Sequence, residues 1–413
     1  MVKKLQSEHI KKITGSVGTP VFVYLEETIL DNIHRIRDAI SSSGIENKIK
    51  IYVSYFTNSN PHISAILQRE GVGLTLQSPE ENEHLKEHEL SIEKVVSPTH
   101  LSKKNIEYFI NEGIQVNYVT LSNLEEALKH NIAKPSIRVD LSPESNQRQG
   151  IKPEQFKEVN SLLKKYKKSL YGIQMYTGTG SDLDVHSRYQ IRALECLKHF
   201  PELKEINLGG GFNFDYNNSK NHFDWKAYFN ELQKRIYQFG IQKKITFDIE
   251  PGRDVLADTG LFIVNVTGIE KIVGKSAYEI FTDGSYTHMP SATIRARQHK
   301  LQFYDEKFAH ILEETTAENP GFLSGNTTLS SDRLFPGIIY FPARLKEGDY
   351  IVLEDTGAYC ATQHMEFLNK APCPEVLIRK DGELELMTER GKLTDKIRYV
   401  LKSPRKMGDS HEN

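Results

Sequence analysis

The chain of 413 residues exceeds the usual size of a single domain, and its 38% hydrophobic residues are enough to fill one large core and a smaller one. Lysine and arginine total 53 against 55 aspartate and glutamate residues, a net charge of −2, which argues against nucleic acid or an acidic membrane as a partner. Three cysteines, none in a CxxC pair, and an N-terminus without an apolar run long enough for a signal peptide or a spanning helix predict a cytoplasmic protein.

The first two thirds of the chain alternate between short apolar runs and amphipathic stretches, which is typical of repeated strand-helix units around a parallel sheet. Asn60-Pro61 begins one of the predicted helices. The predicted strands are Ile51–Phe56, Gly73–Leu76, Lys94–Val96, Gln115–Val119, Ser136–Asp140, Leu170–Met175, Glu205–Leu208 and Lys244–Ile249. Eight strands are the number that a closed (β/α)8 barrel requires.

The texture changes after the eighth predicted strand, where β-rich runs such as Leu261–Thr267 and Tyr278–Thr282 replace the helical patterns. The early run Pro20–Tyr24 precedes the first barrel helix and is available to pair with these strands. The sequence therefore predicts an α/β chain with two domains. These are a barrel at 26–265 and a discontinuous β domain at 1–25 plus 266–402, followed by a disordered tail at 403–413.

Three segments at predicted strand ends suit an anionic, flat ligand. Gly209-Gly210-Gly211 lets backbone N–H groups approach a phosphate, although such a run is as often only a tight turn. Glu250 and Arg253 follow the last barrel strand, where a carboxylate can hold a protonated pyridine nitrogen and an arginine can hold a phosphate; an internal ion pair is the alternative. Tyr359 can donate to a phosphate oxygen or simply pack in a core.

These segments, in this order, resemble the fold type III pyridoxal-phosphate family of ornithine, arginine and diaminopimelate decarboxylases over nearly the whole chain. The opening strand Thr19–Tyr24 and the run Asn58–Pro61 complete the match. The resemblance implies an alanine-racemase-like barrel with a β domain, a homodimer, and pyridoxal phosphate at the barrel mouth with no metal. The cofactor-binding positions that it implies are Tyr176, Thr179, Gly209, Gly210, Gly211, Glu250, Gly252, Arg253 and Tyr359.

The chain departs from the family at the positions that make and break bonds. Phe56 stands where the family has the lysine that forms a Schiff base with the cofactor, and Lys50 lies at the opposite end of the same strand. Tyr176 replaces a stacking histidine. Thr328 and Leu329 replace a cysteine and an acid that a dimer partner supplies, while Cys360 is expected to be a buried structural residue. The resemblance therefore predicts that pyridoxal phosphate, if bound, is bound noncovalently.

Three functions follow from this pattern. The leading hypothesis is an enzyme of altered, lysine-independent chemistry on an amino-acid-derived substrate. The second is a non-catalytic homologue that regulates a true decarboxylase by forming a mixed dimer. The third replaces the cofactor with a planar group such as haem, with Tyr176, His186, His288 or His364 as its ligand. In a homodimer, the segment from Gly325 to Asp332 of one chain would approach the barrel mouth of the other.

Overall fold

The computed structural model describes residues 5–142, 150–216, 222–241, 245–311, 319–397, 400 and 403–404. Its internal contacts divide the chain into two units. The first unit comprises Leu25–Gly260 and Asp355–Thr362, and the second comprises the described parts of Lys4–Tyr24, Leu261–Glu354 and Gln363–Asn413. Residues 405–413 of the predicted disordered tail lie outside the described residues.

The first unit is built on a closed barrel of eight parallel strands, as predicted. The barrel strands follow β1 (Val21–Leu25) of the second unit's sheet and are β2 (Ile49–Ser54), β3 (Gly73–Leu76), β4 (Lys94–Val96), β5 (Gln115–Tyr118), β6 (Ser136–Arg138), β7 (Gly172–Gln174), β8 (Glu205–Asn207) and β9 (Thr246–Ile249). Each pairs with the next, and β9 pairs with β2, so the sheet has no free edge.

Helices alternate with these strands. After α1 (Ser7–Val17) come α2 (Glu26–Ser42), α3 (Pro61–Arg69), α4 (Pro79–Glu87), α5 (Lys103–Asn111), α6 (Leu121–Lys129), α7 (Phe156–Lys165), α8 (Leu183–Glu195), α9 (Trp225–Gln238) and α10 (Arg253–Leu256). Helix α3 begins at Pro61 as expected, because the Asn60 side chain accepts a hydrogen bond from the His62 N–H at 3.0 Å. None of the described helices is long and apolar enough to cross a membrane.

The interior of the barrel is unusually polar. Gln115 Nε2 donates to Glu205 Oε1 at 2.5 Å, and Asn117 Nδ2 donates to Ser97 Oγ at 3.1 Å. Asp248, on β9, is fully buried, and neither of its carboxyl oxygens has a hydrogen-bond partner among the described residues. A buried carboxylate without a partner is costly, so burial raises the pKa of Asp248 well above its ordinary value, and the nearby charge of Glu205 raises it further.

We expect Asp248→Asn to change how stability depends on pH. The raised pKa means that the folded state keeps a proton that the unfolded chain has already released, so wild-type stability falls as pH rises above the unfolded pKa of about 4. The variant lacks this titration, and its stability relative to wild type should therefore rise between about pH 5 and about pH 8. Urea unfolding of the variant and of wild type at about pH 5 and about pH 8 measures this difference. A difference in the free energy of unfolding between the two proteins that is the same at both pH values would contradict the expectation.

The second unit contains a nine-stranded sheet, in which seven strands follow the order β14-β13-β11-β10-β1-β16-β17. The other two lie off this path: β15 also pairs with β10, and β12 pairs with β15. The strands are β10 (Gly260–Lys271), β11 (Tyr278–Thr282), β12 (Leu301–Tyr304), β13 (Asn319–Ser324), β14 (Ile339–Phe341), β15 (Tyr350–Leu353), β16 (Glu375–Ile378) and β17 (Leu384–Thr388). The short helices α11 (Ser291–Arg295) and α12 (Leu393–Ile397) accompany them. The β-rich second fold is therefore present, and β1 lies within its sheet.

The structure differs from the predicted boundaries in two places. Phe56, expected in the first barrel strand, lies instead in a turn of 3₁₀ helix (Tyr55–Thr57) that follows β2. The segment Asp355–Thr362, predicted in the β domain, clusters with the barrel unit, because the Asn58 side chain donates to Gly357 O at 3.1 Å. Lys244 at the start of the last predicted strand lies outside the described residues.

Candidate active site

The site begins at the turn that follows β2. Phe56 is 36% exposed, whereas the adjacent Thr57 is fully buried. Thr57 O accepts a hydrogen bond from the Tyr359 N–H at 2.8 Å, and Thr57 Oγ1 donates to the Tyr359 hydroxyl at 3.3 Å. The rings of Phe56 and Tyr359 lie 6.0 Å apart between centroids. Phe56 is thus an accessible aromatic ring beside the predicted phosphate tyrosine.

Tyr359 is held in an unusual backbone conformation. Its φ of 58° lies in the left-handed region, which side chains larger than glycine rarely adopt. The hydrogen bond to Thr57 O fixes this geometry, and the guanidinium carbon of Arg253 lies 4.9 Å from the centre of the tyrosine ring. Strain of this kind is often found at ligand-binding positions. Tyr359 and Arg253, predicted to act together, are therefore neighbours.

Glu250 is a buried acid at the end of β9. Its Oε1 accepts from Asn207 Nδ2 at 2.8 Å, and its Oε2 accepts from Gln174 Nε2 at 3.2 Å. Burial raises the pKa of Glu250 above its ordinary value, while these hydrogen bonds and the charge of Arg138 oppose the shift. No ion pair joins Glu250 to Arg253 in the described structure, which removes the structural alternative proposed for this segment.

The glycine run lies against the neighbouring strand ends. Gly209 has a φ of 69°, and a Cβ atom there would lie 1.9 Å from Met175 O. A Cβ atom on Gly210 would lie 2.4 Å from Glu250 O, so close backbone packing is sufficient to require glycine. Within the described part of the chain, the N–H groups of Gly210 and Gly211 donate to no acceptor, which leaves them available to an anion.

An aromatic cluster supports both anion-binding segments from behind. Phe212, which follows the glycine run, stacks on His186 at 4.1 Å with parallel rings, and its ring centre lies 4.4 Å from that of Trp225. Trp225 Nε1 donates to Asp254 Oδ2 at 2.6 Å, and Asp254 follows Arg253 in the chain. The positions of the glycine run and of the arginine are therefore fixed by one packed cluster.

Arg138 is a site residue that the sequence analysis missed. It ends β6, and its guanidinium carbon lies 5.5 Å from the centre of the Tyr176 ring. Tyr176 and Thr179 share a hydrogen bond between their hydroxyl groups at 2.8 Å. A signal for Arg138 was available, since it is a charged residue at the carboxyl end of a predicted barrel strand, which is where barrel active sites are built.

Other candidates do not join this site within the barrel unit. His186 is buried behind Phe212, and burial lowers its pKa to about 3. His288 and His364 belong to the second unit, where their rings lie 5.8 Å apart. Thr328 and Leu329 also belong to the second unit.

Two further expectations concern Lys50 and Cys360. Lys50 Nζ pairs with Glu93 at 2.7 Å at the amino end of β2, which is the end of the strand opposite to Phe56. Cys360 is 1% exposed and its Sγ contacts Ala358 O, which fits a structural thiol. Neither residue therefore supplies the reactive group that the family pattern requires.

The chemistry of the residues present fits pyridoxal phosphate. Glu250 offers a buried acid for a ring nitrogen, and Arg253, whose Nε is buried without a hydrogen-bond partner, offers charge to a phosphate. The free N–H groups of Gly210 and Gly211 add two donors. Phe56 itself offers no covalent anchor, because the side chain of phenylalanine has no nucleophile.

A family model described as "Pyridoxal-dependent decarboxylase, pyridoxal binding domain" matches residues 27–257. Among characterised proteins, the diaminopimelate decarboxylase of Thermoplasma acidophilum is 23% identical, with 97% of each chain covered. The L-glutamyl-[BtrI acyl-carrier protein] decarboxylase of Niallia circulans is 22% identical, again with 97% of each chain covered. The similarity to both relatives thus extends over both units of the chain.

Solved structures show the same fold. Diaminopimelate decarboxylase from M. jannaschii, in complex with L-lysine, superposes with a TM-score of 0.84 at 20% identity, covering 96% of this chain and 95% of its own. The arginine decarboxylase of Paramecium bursaria Chlorella virus superposes with a TM-score of 0.76 at 15% identity, covering 91% of this chain and 100% of its own. The barrel with a β-rich second fold is thus shared with these enzymes.

Proposed function

Because the chain belongs to the pyridoxal-dependent decarboxylase family, we propose that its barrel mouth binds pyridoxal phosphate noncovalently. The protein then acts on an amino-acid-derived substrate without a lysine that forms a Schiff base with the cofactor. The observation that carries this proposal is the unpaired Arg253, stacked on Tyr359 beside the turn where Phe56 replaces the lysine. The binding groups are retained while the covalent anchor is absent.

The residues of the site divide the work of holding the ligand. When bound, pyridoxal phosphate supplies an electron-withdrawing pyridine ring to an amino group joined to it. Glu250 is placed to share a proton with the ring nitrogen, and its raised pKa means that the acid can carry that proton before the ligand binds. Arg253 and the N–H groups of Gly210 and Gly211 hold the phosphate, and the ring of Tyr176 offers an aromatic face.

The test is a binding measurement on the purified full chain. Titration calorimetry with pyridoxal phosphate should show saturable binding that dialysis reverses, and Arg253→Met should weaken it by about tenfold or more, because a charge-assisted contact is lost. Arg192→Met is the matched control: Arg192 also stacks on a tyrosine, at 5.5 Å from the Tyr189 ring, but donates to Leu141 O. If the wild-type chain binds no pyridoxal phosphate, the proposal is wrong.

The proposal includes a cytoplasmic homodimer. The three cysteines are buried and form no disulfide, which suits a reducing compartment. Leu329, in the segment that the family resemblance assigns to the dimer, is 39% exposed, and an exposed leucine suits a protein interface. The same feature favours the regulatory alternative, a mixed dimer with a lysine-containing homologue. Light scattering of the chain alone and co-purification with such a homologue distinguish the two assemblies.

A further inference from the structure

Two arginines at the barrel mouth lack partners, although only one has been given a role. Arg138 and Arg253 each stack on a tyrosine ring, Tyr176 and Tyr359 respectively. In both, the Nε atom is buried without a hydrogen-bond partner, and within the described residues neither side chain makes a hydrogen bond or an ion pair. A partly buried guanidinium whose Nε–H has no acceptor is unfavourable, so each arginine is expected to receive an anion from a ligand.

Stacking on a tyrosine does not by itself leave an arginine unpaired. Arg192 lies over the Tyr189 ring at the same 5.5 Å as Arg138 over Tyr176, yet its Nη1 donates to Leu141 O at 2.8 Å. Arg35, which is also partly buried, pairs with Asp254 at 2.9 Å. The unpaired state of Arg138 is therefore a property of its position at the mouth.

Glu250 does not serve as the missing partner. Its two oxygens accept hydrogen bonds from Asn207 and Gln174, at 2.8 Å and 3.2 Å, and not from Arg138. Burial lowers the pKa of Arg138, and the charge of Glu250 opposes that shift, so the acid stabilises the guanidinium only through space. The guanidinium stays charged, because arginine retains its proton in proteins, and its donors remain unused.

We propose that Arg138 binds a second oxyanion of the ligand, separate from the phosphate assigned to Arg253. The inference rests on the proposed function and extends it to the class of ligand. Two sources supply such an oxyanion: the ring phenolate of the pyridoxal phosphate itself, or the carboxylate of an amino acid joined to it. Both present oxygen acceptors that the guanidinium donors of arginine match.

Two stable probes separate these sources. Pyridoxamine 5′-phosphate carries the phosphate and the phenol, and N-(5′-phosphopyridoxyl)glycine adds one carboxylate to the same amine. Calorimetry on the full chain compares wild type, Arg138→Met and the control Arg192→Met. Methionine keeps a long apolar stem against Tyr176 and removes the charge. Arg138→Lys is a second variant that keeps the charge but loses the planar donors, should Arg138→Met fail to fold.

If the carboxylate is bound, wild type should prefer the glycine conjugate by about tenfold or more, and both Arg138 variants should reduce this preference. If the phenolate is bound, Arg138→Met should weaken both probes alike, and 3-deoxypyridoxamine 5′-phosphate should bind wild type as weakly as pyridoxamine phosphate binds the variant. Either pattern supports the proposal. If the Arg138 variants bind both probes as tightly as wild type does, the role proposed for Arg138 is wrong and the proposed function is unaffected. Failure of wild type to bind either probe overturns both.

Discussion

Phe56→Lys is expected to convert reversible binding of pyridoxal phosphate into covalent binding. An amine at this position would lie at the mouth of the barrel, because Phe56 is 36% exposed and its ring lies 6.0 Å from that of Tyr359. The substitution leaves the backbone contact between Thr57 O and the Tyr359 N–H in place. Since the residues proposed to bind the phosphate are unchanged, the cofactor would be held next to a new amine that condenses with its aldehyde, with loss of water.

Borohydride reduction followed by mass spectrometry of the denatured protein measures this conversion. After incubation with pyridoxal phosphate, the variant should retain one reduced cofactor at residue 56, and wild type should retain none there. Phe239→Lys is the control, because Phe239 is also an exposed aromatic, at 39%, but follows α9 outside the site. Labelling of residue 56 no greater than that of residue 239 would show that the position does not face the cofactor.

Asp254→Ala is expected to lower the free energy of unfolding more than any of the other substitutions proposed for this chain. The fully buried carboxylate accepts hydrogen bonds from Arg35 Nη2 at 2.9 Å, from Trp225 Nε1 at 2.6 Å and from the Phe223 N–H at 3.1 Å. Removing it leaves the Trp225 indole and the Phe223 N–H without their acceptor, and it leaves Arg35 with only the neutral acceptors Asp254 O and Asn32 Oδ1. Because the Arg35 side chain is 28% exposed, we expect a cost of about 3 kcal/mol, the lower end of the range for breaking a buried charged pair. The affinity for the ligand should fall as well, because Asp254 anchors the segment that carries Arg253.

Urea unfolding followed by circular dichroism tests this expectation, with the fluorescence of Trp225, the single tryptophan, as a local probe. Asp224→Ala is the control. The Asp224 carboxylate caps α9 by accepting a single hydrogen bond, from the Ala227 N–H at 2.9 Å, and loss of such a cap costs about 1 kcal/mol. Equal destabilisation of the two variants would mean that the network around Asp254 contributes no more than an ordinary helix cap.

The barrel was predictable because its strands are short apolar runs set between amphipathic helices. Each of the eight predicted strands overlaps an observed one. The ends were less predictable, since the apolar pattern continues past the last ladder hydrogen bond. Phe56 is apolar like Ile51 and Val53 of β2, but the chain turns into 3₁₀ helix at Tyr55. Hydrophobic pattern alone does not mark where backbone pairing stops.

The polar contacts of the site were not predictable to the same degree. Glu250 and Arg253 were identified from their place after a strand, but their hydrogen bonds depend on residues from other strands. Asn207 and Gln174 reach Glu250 from β8 and β7, and Arg138 reaches Tyr176 from β6. These partners are 43 and 76 residues from Glu250 in the chain, and only closure of the barrel brings them together.

The hydrogen bonds between Thr57 and Tyr359 also have a consequence for biosynthesis of the chain. The two residues are 302 positions apart, yet both belong to the barrel unit. A growing chain that has released all eight barrel strands from the ribosome still lacks Tyr359, so the ligand site is incomplete at that stage. Ligand binding that uses Tyr359, as proposed, would therefore follow synthesis of the barrel, and a fragment ending at Gly260 would lack this residue.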